Sequence, residues 1–168
     1  GADNYGVEIE LRKNLGFIAG GLEGMTFFAN GAIIRSRLDL SNVSNFDDSR
    51  ALQGQSPYLL NTGLSYNHAN WGLSTTLVYN IIGDRVAQVG TTDYGDIYER
   101  HRSLLDFQIS KKLGDRAEIK LTWGDILAPD YMYYQDNNAN HKYDADADNI
   151  MQRLNFGSNI TLGFGYRF

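Results

Sequence analysis

Leu154-Asn155-Phe156-Gly157-Ser158-Asn159-Ile160-Thr161-Leu162-Gly163-Phe164-Gly165-Tyr166-Arg167-Phe168 closes the chain. Every second residue back from Phe168 gives Tyr166, Phe164, Leu162, Ile160, Ser158, Phe156 and Leu154. The alternate register holds Arg167, Gly165, Gly163, Thr161, Asn159, Gly157, Asn155 and Arg153. Successive side chains of a strand point to opposite faces, so this is an apolar ribbon backed by a polar, glycine-rich one. At about fifteen residues it exceeds the five or six typical of strands in soluble sheets. The expectation is a long closing strand, Leu154–Phe168, with an aromatic end.

The composition agrees with an all-β chain. Glycine is frequent at 18, tyrosine at 11 and phenylalanine at 8, while proline is only 2, a balance that suits strands and argues against a helical bundle. A net charge of −5 without a long basic run counts against a nucleic-acid binder. The absence of cysteine excludes disulfides, thiolate metal sites and cysteine catalysis. No stretch reaches about 18 consecutive apolar residues, so no transmembrane helix is expected. Barrel strands escape that test, because half of each faces the lumen. Gly1-Ala2-Asp3-Asn4 has neither the basic start nor the apolar core of a signal peptide. The segment 1–168 therefore reads as one domain, either a mature form or a piece of a longer protein.

The same alternation recurs upstream. Tyr5–Leu15 puts Val7, Ile9 and Leu11 against Glu8, Glu10 and Arg12. A glycine-rich link, Lys13 to Gly24, carries Phe17 and Ile18, which suggest that it tucks against something apolar. Met25–Leu40 is apolar on both faces: Phe27 and Ile33 lie on one, Phe28 and Ile34 on the other. A bulge, or packing against further protein, would reconcile this. Pro57–Asn67 and Trp71–Ile81 alternate cleanly and make the clearest hairpin, with Tyr and Trp near the ends of their apolar faces as an interfacial girdle requires. Asp96–Lys111 and Ala117–Trp123 add two more strands joined by a tight link. After the first strand the connections run shorter, long, short, long, short, long, and the chain ends on the short-loop side. Outer-membrane barrels sort their loops in this way. The count of seven strands is odd, whereas single-chain bacterial barrels use even numbers, so either one strand is missed or the chain belongs to something larger.

Arg50-Ala51-Leu52-Gln53-Gly54-Gln55-Ser56-Pro57-Tyr58-Leu59-Leu60-Asn61 resembles a signature of TonB-dependent outer-membrane receptors, particularly those of Bacteroidetes. Gly63-Leu64-Ser65-Tyr66 matches the continuation of that signature. Asn4-Tyr5-Gly6-Val7-Glu8 with Arg12-Lys13, Phe28-Ala29-Asn30 and Gly165-Tyr166-Arg167-Phe168 look like further pieces of the same C-terminal barrel region. Physically, Gly54 permits a turn, Pro57 opens a strand where no ladder donor is needed, and Tyr58 begins the apolar ribbon at an interface. The resemblance implies antiparallel, up-and-down transmembrane strands, about seven or eight of the 22 in a plugged barrel. It implies outer-membrane localisation, a terminal Phe168 read by the barrel-assembly machinery, and partners in the rest of the barrel, the plug and the lipid. TonB would engage only through an N-terminal region with no counterpart here. The intact parent would import a scarce nutrient. The alternatives are a complete eight-stranded outer-membrane protein, adhesive or structural, and a soluble β-sandwich or lipocalin-like binder. An isolated barrel segment would expose edges and an apolar face, and would self-associate or require detergent.

Candidate sites are few. Asp136, Asn138, Asn140 and Asp144 occupy positions 1, 3, 5 and 9 of a calcium-loop template, with Asp146 and Asp148 nearby. His141 replaces the template's turn glycine, and Ala147 its bidentate glutamate. The competing reading is a solvated acidic loop. Tyr131, Tyr133 and Tyr134 in the same region either stack on a flat ligand or pack the loop. Glu99, Arg100 and Arg102 either meet an anionic ligand or form a lumenal charge network. His68, His101 and His141 show no ligand spacing. The adjacent carboxylates Asp47 and Asp48 have poor geometry for acid–base work. Gly54-Gln55-Ser56-Pro57-Tyr58 lacks the final glycine of a nucleophile elbow. No catalytic constellation stands out, and no enzymatic activity or organic cofactor is expected.

Overall fold

The computed structural model of the chain describes residues 1–42, 49–91 and 93–168; Asp47 and Asp48 lie outside the described residues. In chain order its strands are β1 (Ala2–Asn14), β2 (Met25–Asp39), β3 (Ser49–Arg50), β4 (Tyr58–His68), β5 (Leu73–Ile82) and β6 (Arg85–Gln88). There follow β7 (Ile97–Glu99), β8 (Arg102–Leu113), β9 (Ala117–Gly124), β10 (Tyr131–Gln135), β11 (Asn149–Leu154) and β12 (Asn159–Tyr166).

They form two antiparallel sheets. The larger runs β1-β2-β4-β5-β8-β9-β12, with β3 extending the far end of β2. Each long strand pairs with the next, giving an up-and-down meander. The sheet is open. Among the described residues β1 and β12 are its two edges, and no closed barrel forms.

Local chemistry explains the tight links on one side. His68 Nδ1 accepts from the Trp71 amide at 3.3 Å, and Gly72 takes a left-handed φ of 57° where β4 turns into β5. Gly114 does the same at φ 66° between β8 and β9. Between β1 and β2, Asn14 donates to the Glu23 carbonyl at 2.7 Å and accepts from the Gly16 amide at 2.8 Å, clamping both ends of the link. Phe17 and Ile18 in that link do not tuck in; both are exposed within this chain.

The registers carry one apolar face across the whole meander. Val7 lies opposite Ile33, which lies opposite Tyr58. Leu64 pairs with Leu77, Leu77 with Phe107, Phe107 with Trp123 and Trp123 with Ile160. Cross-strand partners share a face, so these side chains form a continuous belt. It is exposed: Ile33 retains 73 % and Leu162 72 % of its accessible surface. The opposite face carries Glu8, Asn30, Asn61, Asn80, Asp106, Gln108 and Lys120 in the same registers.

No bulge occurs in β2. Phe27 belongs to the apolar belt, and Phe28 lies on the polar face over Gly63, where an added Cβ would come within 2.5 Å of Phe28 Cζ. The glycine makes room for the ring, which is why β2 can be apolar on both sides.

Two expected strands are broken. Leu154–Phe168 is not one strand: Leu154 ends β11 and only Asn159–Tyr166 forms β12, because Asn155 Oδ1 accepts from the Gly157 amide at 2.8 Å and Gly157 adopts φ 68°. Asp96–Lys111 splits at Arg100 and His101, where the Asp84 carboxylate takes the His101 amide at 2.7 Å. Ile97–Glu99, split from the expected Asp96–Lys111, joins strands that the long connections supply in a second sheet, β11-β10-β7-β6. Its Val86, Tyr98, Met132 and Tyr134 form the main buried apolar cluster, with Val89 and Tyr143 against it.

Candidate functional site

The Gln53–Tyr58 segment ties the small sheet to the large one. Gly54, at φ 78°, donates its amide to the Val86 carbonyl at 2.8 Å, and Gln53 Nε2 donates to the Ala87 carbonyl at 2.8 Å. Gln55 folds back, its amide donating to Leu52 at 3.1 Å. The buried Ser56 hydroxyl lies 2.8 Å from the Tyr58 carbonyl and 3.0 Å from that of Gly83, which share its proton. Pro57 presents its carbonyl to the Ile34 amide at 2.9 Å. The Tyr58 ring lies over Gly83, where a Cβ would approach within 2.6 Å. These contacts account for the residue types of the run, and they engage the serine hydroxyl with carbonyl oxygens.

One face of the small sheet is charged. Glu99 is buried between two guanidinium groups, Arg85 at 2.7 Å and Arg102 at 3.0 Å, each making two hydrogen bonds to one carboxylate oxygen. Arg102 also lies 3.7 Å over the Tyr131 ring, which meets Phe156 edge-on. Glu99 and Arg102 thus form a charge network, whereas Arg100 points elsewhere, lying 5.3 Å over Tyr143.

The other face is aromatic. Tyr134 is fully buried and stacks on Tyr98 at 5.8 Å, so it packs the loop and offers no surface to a ligand; Tyr133 remains half-buried. Burial is the main reason the phenols of Tyr98 and Tyr134 are pushed above their ordinary pKa. Carboxylates act in the same direction, Asp96 first for Tyr98 and Asp84 first for Tyr134.

The acidic loop is ordered by its own side chains. Asp136 accepts from the amides of Asn140 at 3.3 Å and His141 at 2.8 Å. Asn138 accepts from Asn140, Asn140 from Lys142 and Asp144 from Asp146, each two residues on. Asp148 accepts from Asn137 at 3.0 Å and Asp144 at 2.8 Å. His141 holds the left-handed φ of 63° that the template assigns to glycine. Among the described residues no three His, Asp or Glu side chains are grouped for a metal ion.

A cleft of about 660 Å³ opens between the end of β2, the 51–58 segment and the small sheet. Arg35, Arg85, Arg100 and Lys142 line it, and among the described residues Asp84 is the one carboxylate set against them. Tyr58, Tyr98 and Tyr143 supply aromatic surface. His101 and His141, forty residues apart in the chain, both border it, whereas His68 stacks on Trp71 at the opposite end of β4. No sequence spacing signals this cleft, since its residues come from five separate stretches. No protein-family model matches the chain, and searches of curated proteins and of solved structures likewise returned no match.

Proposed function

We propose that the chain is a C-terminal barrel section of a TonB-dependent outer-membrane receptor, contributing barrel wall and extracellular loops to nutrient uptake. The observation that carries this reading is the apolar belt running unbroken through all seven strands of the meander. A sheet that faces water on both sides does not gather Val7, Ile33, Leu162 and their neighbours on one face and leave them uncovered. In lipid the same face is solvated by acyl chains. Sorting of short turns to one side and folded loops to the other supports the orientation, with the small sheet outside the cell. The open β1 and β12 edges would pair with further barrel strands, and the plug and TonB-engaging segment would come from elsewhere in the parent.

The chain has no cysteine, so single labels can be placed cleanly. After reconstitution in phospholipid, nitroxides at Leu77→Cys and Phe107→Cys should collide with oxygen in preference to a water-soluble nickel chelate. Those at Thr76→Cys and Gln108→Cys should show the reverse. Equal accessibility at neighbouring positions, or a stable monodisperse monomer without detergent, would overturn the proposal.

A further inference from the structure

We infer that the cleft between β2, the 51–58 segment and the small sheet binds a small oxyanion-bearing ligand, one carrying carboxylate or phosphate groups on a ring-sized scaffold. The inference deepens the proposed function and rests on that reading only for the placement of the cleft on the outer side.

Three of the four Lys and Arg side chains that line the cleft are left over once the ion pairs among the described residues are formed. Arg85 is committed to Glu99. Asp84 is committed to the His101 amide, with the imidazole Nδ1 at 3.5 Å. Arg35, Arg100 and Lys142 form no ion pair among the described residues. They converge on one concavity, whereas isolated surface cations are ordinarily scattered. Guanidinium groups match the planar geometry of carboxylate and phosphate oxygens.

The cleft is also built. Arg100 is held by its amide, which donates to the Met132 carbonyl at 2.9 Å, and by its stacking over Tyr143. Lys142 is placed by the Asn140 side chain accepting its amide at 2.8 Å, and His141 by Asp136 at 2.8 Å. His141 lies 5.6 Å from the Tyr98 ring, so part of the lining is flat and apolar. A volume of about 660 Å³ falls within the range of small-molecule sites. Cations and rings lining one cleft fit a ligand with an anionic group attached to a sugar or aromatic ring.

The test uses the full chain in detergent micelles and isothermal titration with four probes: a hexuronate disaccharide, an uncharged disaccharide, inorganic phosphate, and lipopolysaccharide micelles. The expected result is binding of the hexuronate, weakening with added salt, and no measurable binding of the uncharged sugar. Arg100→Gln and Lys142→Gln should each lower affinity about tenfold, the loss expected when a charged hydrogen bond is removed. Arg37→Gln, exposed on β2 outside the cleft, should leave it unchanged. Binding of phosphate or lipopolysaccharide alone, with the same sensitivity to Arg100→Gln, would support the oxyanion site and assign it to a free phosphate or a lipid headgroup respectively. Equal binding of charged and uncharged sugars, or affinities untouched by both cleft variants with near-ultraviolet circular dichroism unchanged, would overturn the inference. The lipid-accessibility labels are independent of this result, so failure of the ligand site and failure of the outer-membrane reading are separable.

Discussion

Leu77 sits in the middle of β5, between Leu64 and Phe107 on the apolar belt; Thr76 beside it faces the other way, between Ser65 and Gln108. Substituting Arg at each position asks which face meets lipid. Neighbouring side chains leave Leu77 39 % exposed. Complete burial of a leucine is worth roughly 1.5–3 kcal/mol, so the part that lipid would cover accounts for about 1 kcal/mol. An arginine at the bilayer midplane costs about 2–4 kcal/mol on the lipid face of a barrel. Leu77→Arg should therefore destabilise the membrane-embedded chain by roughly 3–5 kcal/mol, and Thr76→Arg by less than about 1 kcal/mol. Reversible urea unfolding in phospholipid vesicles, followed by tryptophan fluorescence of Trp71 and Trp123, measures both. Equal costs, or a larger cost at Thr76, would refute the assignment of the belt to lipid.

Further outcomes follow from single contacts. Ser56→Ala removes the hydroxyl serving the Tyr58 and Gly83 carbonyls in a buried position, and should cost about 1–3 kcal/mol, read as earlier proteolytic cleavage within residues 83–101. Gly63→Val forces a side chain against Phe28 and the Leu77 carbonyl and should cost about 1–3 kcal/mol; Phe28→Ala in the same chain should recover part of that cost in a double-mutant cycle. Glu99→Gln leaves Arg85 and Arg102 without their shared charge and should cost about 3 kcal/mol, measured by the denaturation midpoint. The phenols of Tyr98 and Tyr134 have raised pKa values in the folded chain, so their contribution is intact below the ordinary tyrosine value of about 10 and is lost as pH rises through the folded values. Spectrophotometric titration should find these two of the 11 tyrosines ionising last, together with opening of the small sheet.

If the small sheet lies outside the cell, the Gln53–Tyr58 run acquires a mechanical meaning. It is the joint through which a folded loop assembly is held on the end of the wall, through Gly54 and Val86, Gln53 and Ala87, and Ser56 and Gly83. A cleft bordered by that joint would keep its shape only while the joint is intact. Loss of Ser56 should thus weaken any ligand bound there without touching the lipid-facing belt.

The seven strands of the meander are legible in the amino-acid order because each depends on a period-two pattern and a local turn. Leu64, Leu77 and Phe107 alternate with Ser65, Thr76 and Gln108 whatever lies beyond them, and Gly72 and Gly114 supply their left-handed turns locally. The small sheet has no such signature. Its strands are as short as Ile97–Glu99, and the two hairpins β6-β7 and β10-β11 become one sheet only where β7 meets β10 from a distant connection, as Tyr98 meets Tyr134. The closing stretch shows the difference most clearly. Alternation continues in letters from Leu154 to Phe168, yet Asn155 and Gly157 turn the backbone and hand Asn149–Leu154 to β10. Local pattern determines which side chains share a face. Only long-range pairing decides where one sheet ends, the next begins, and Arg35, Arg100 and Lys142 meet.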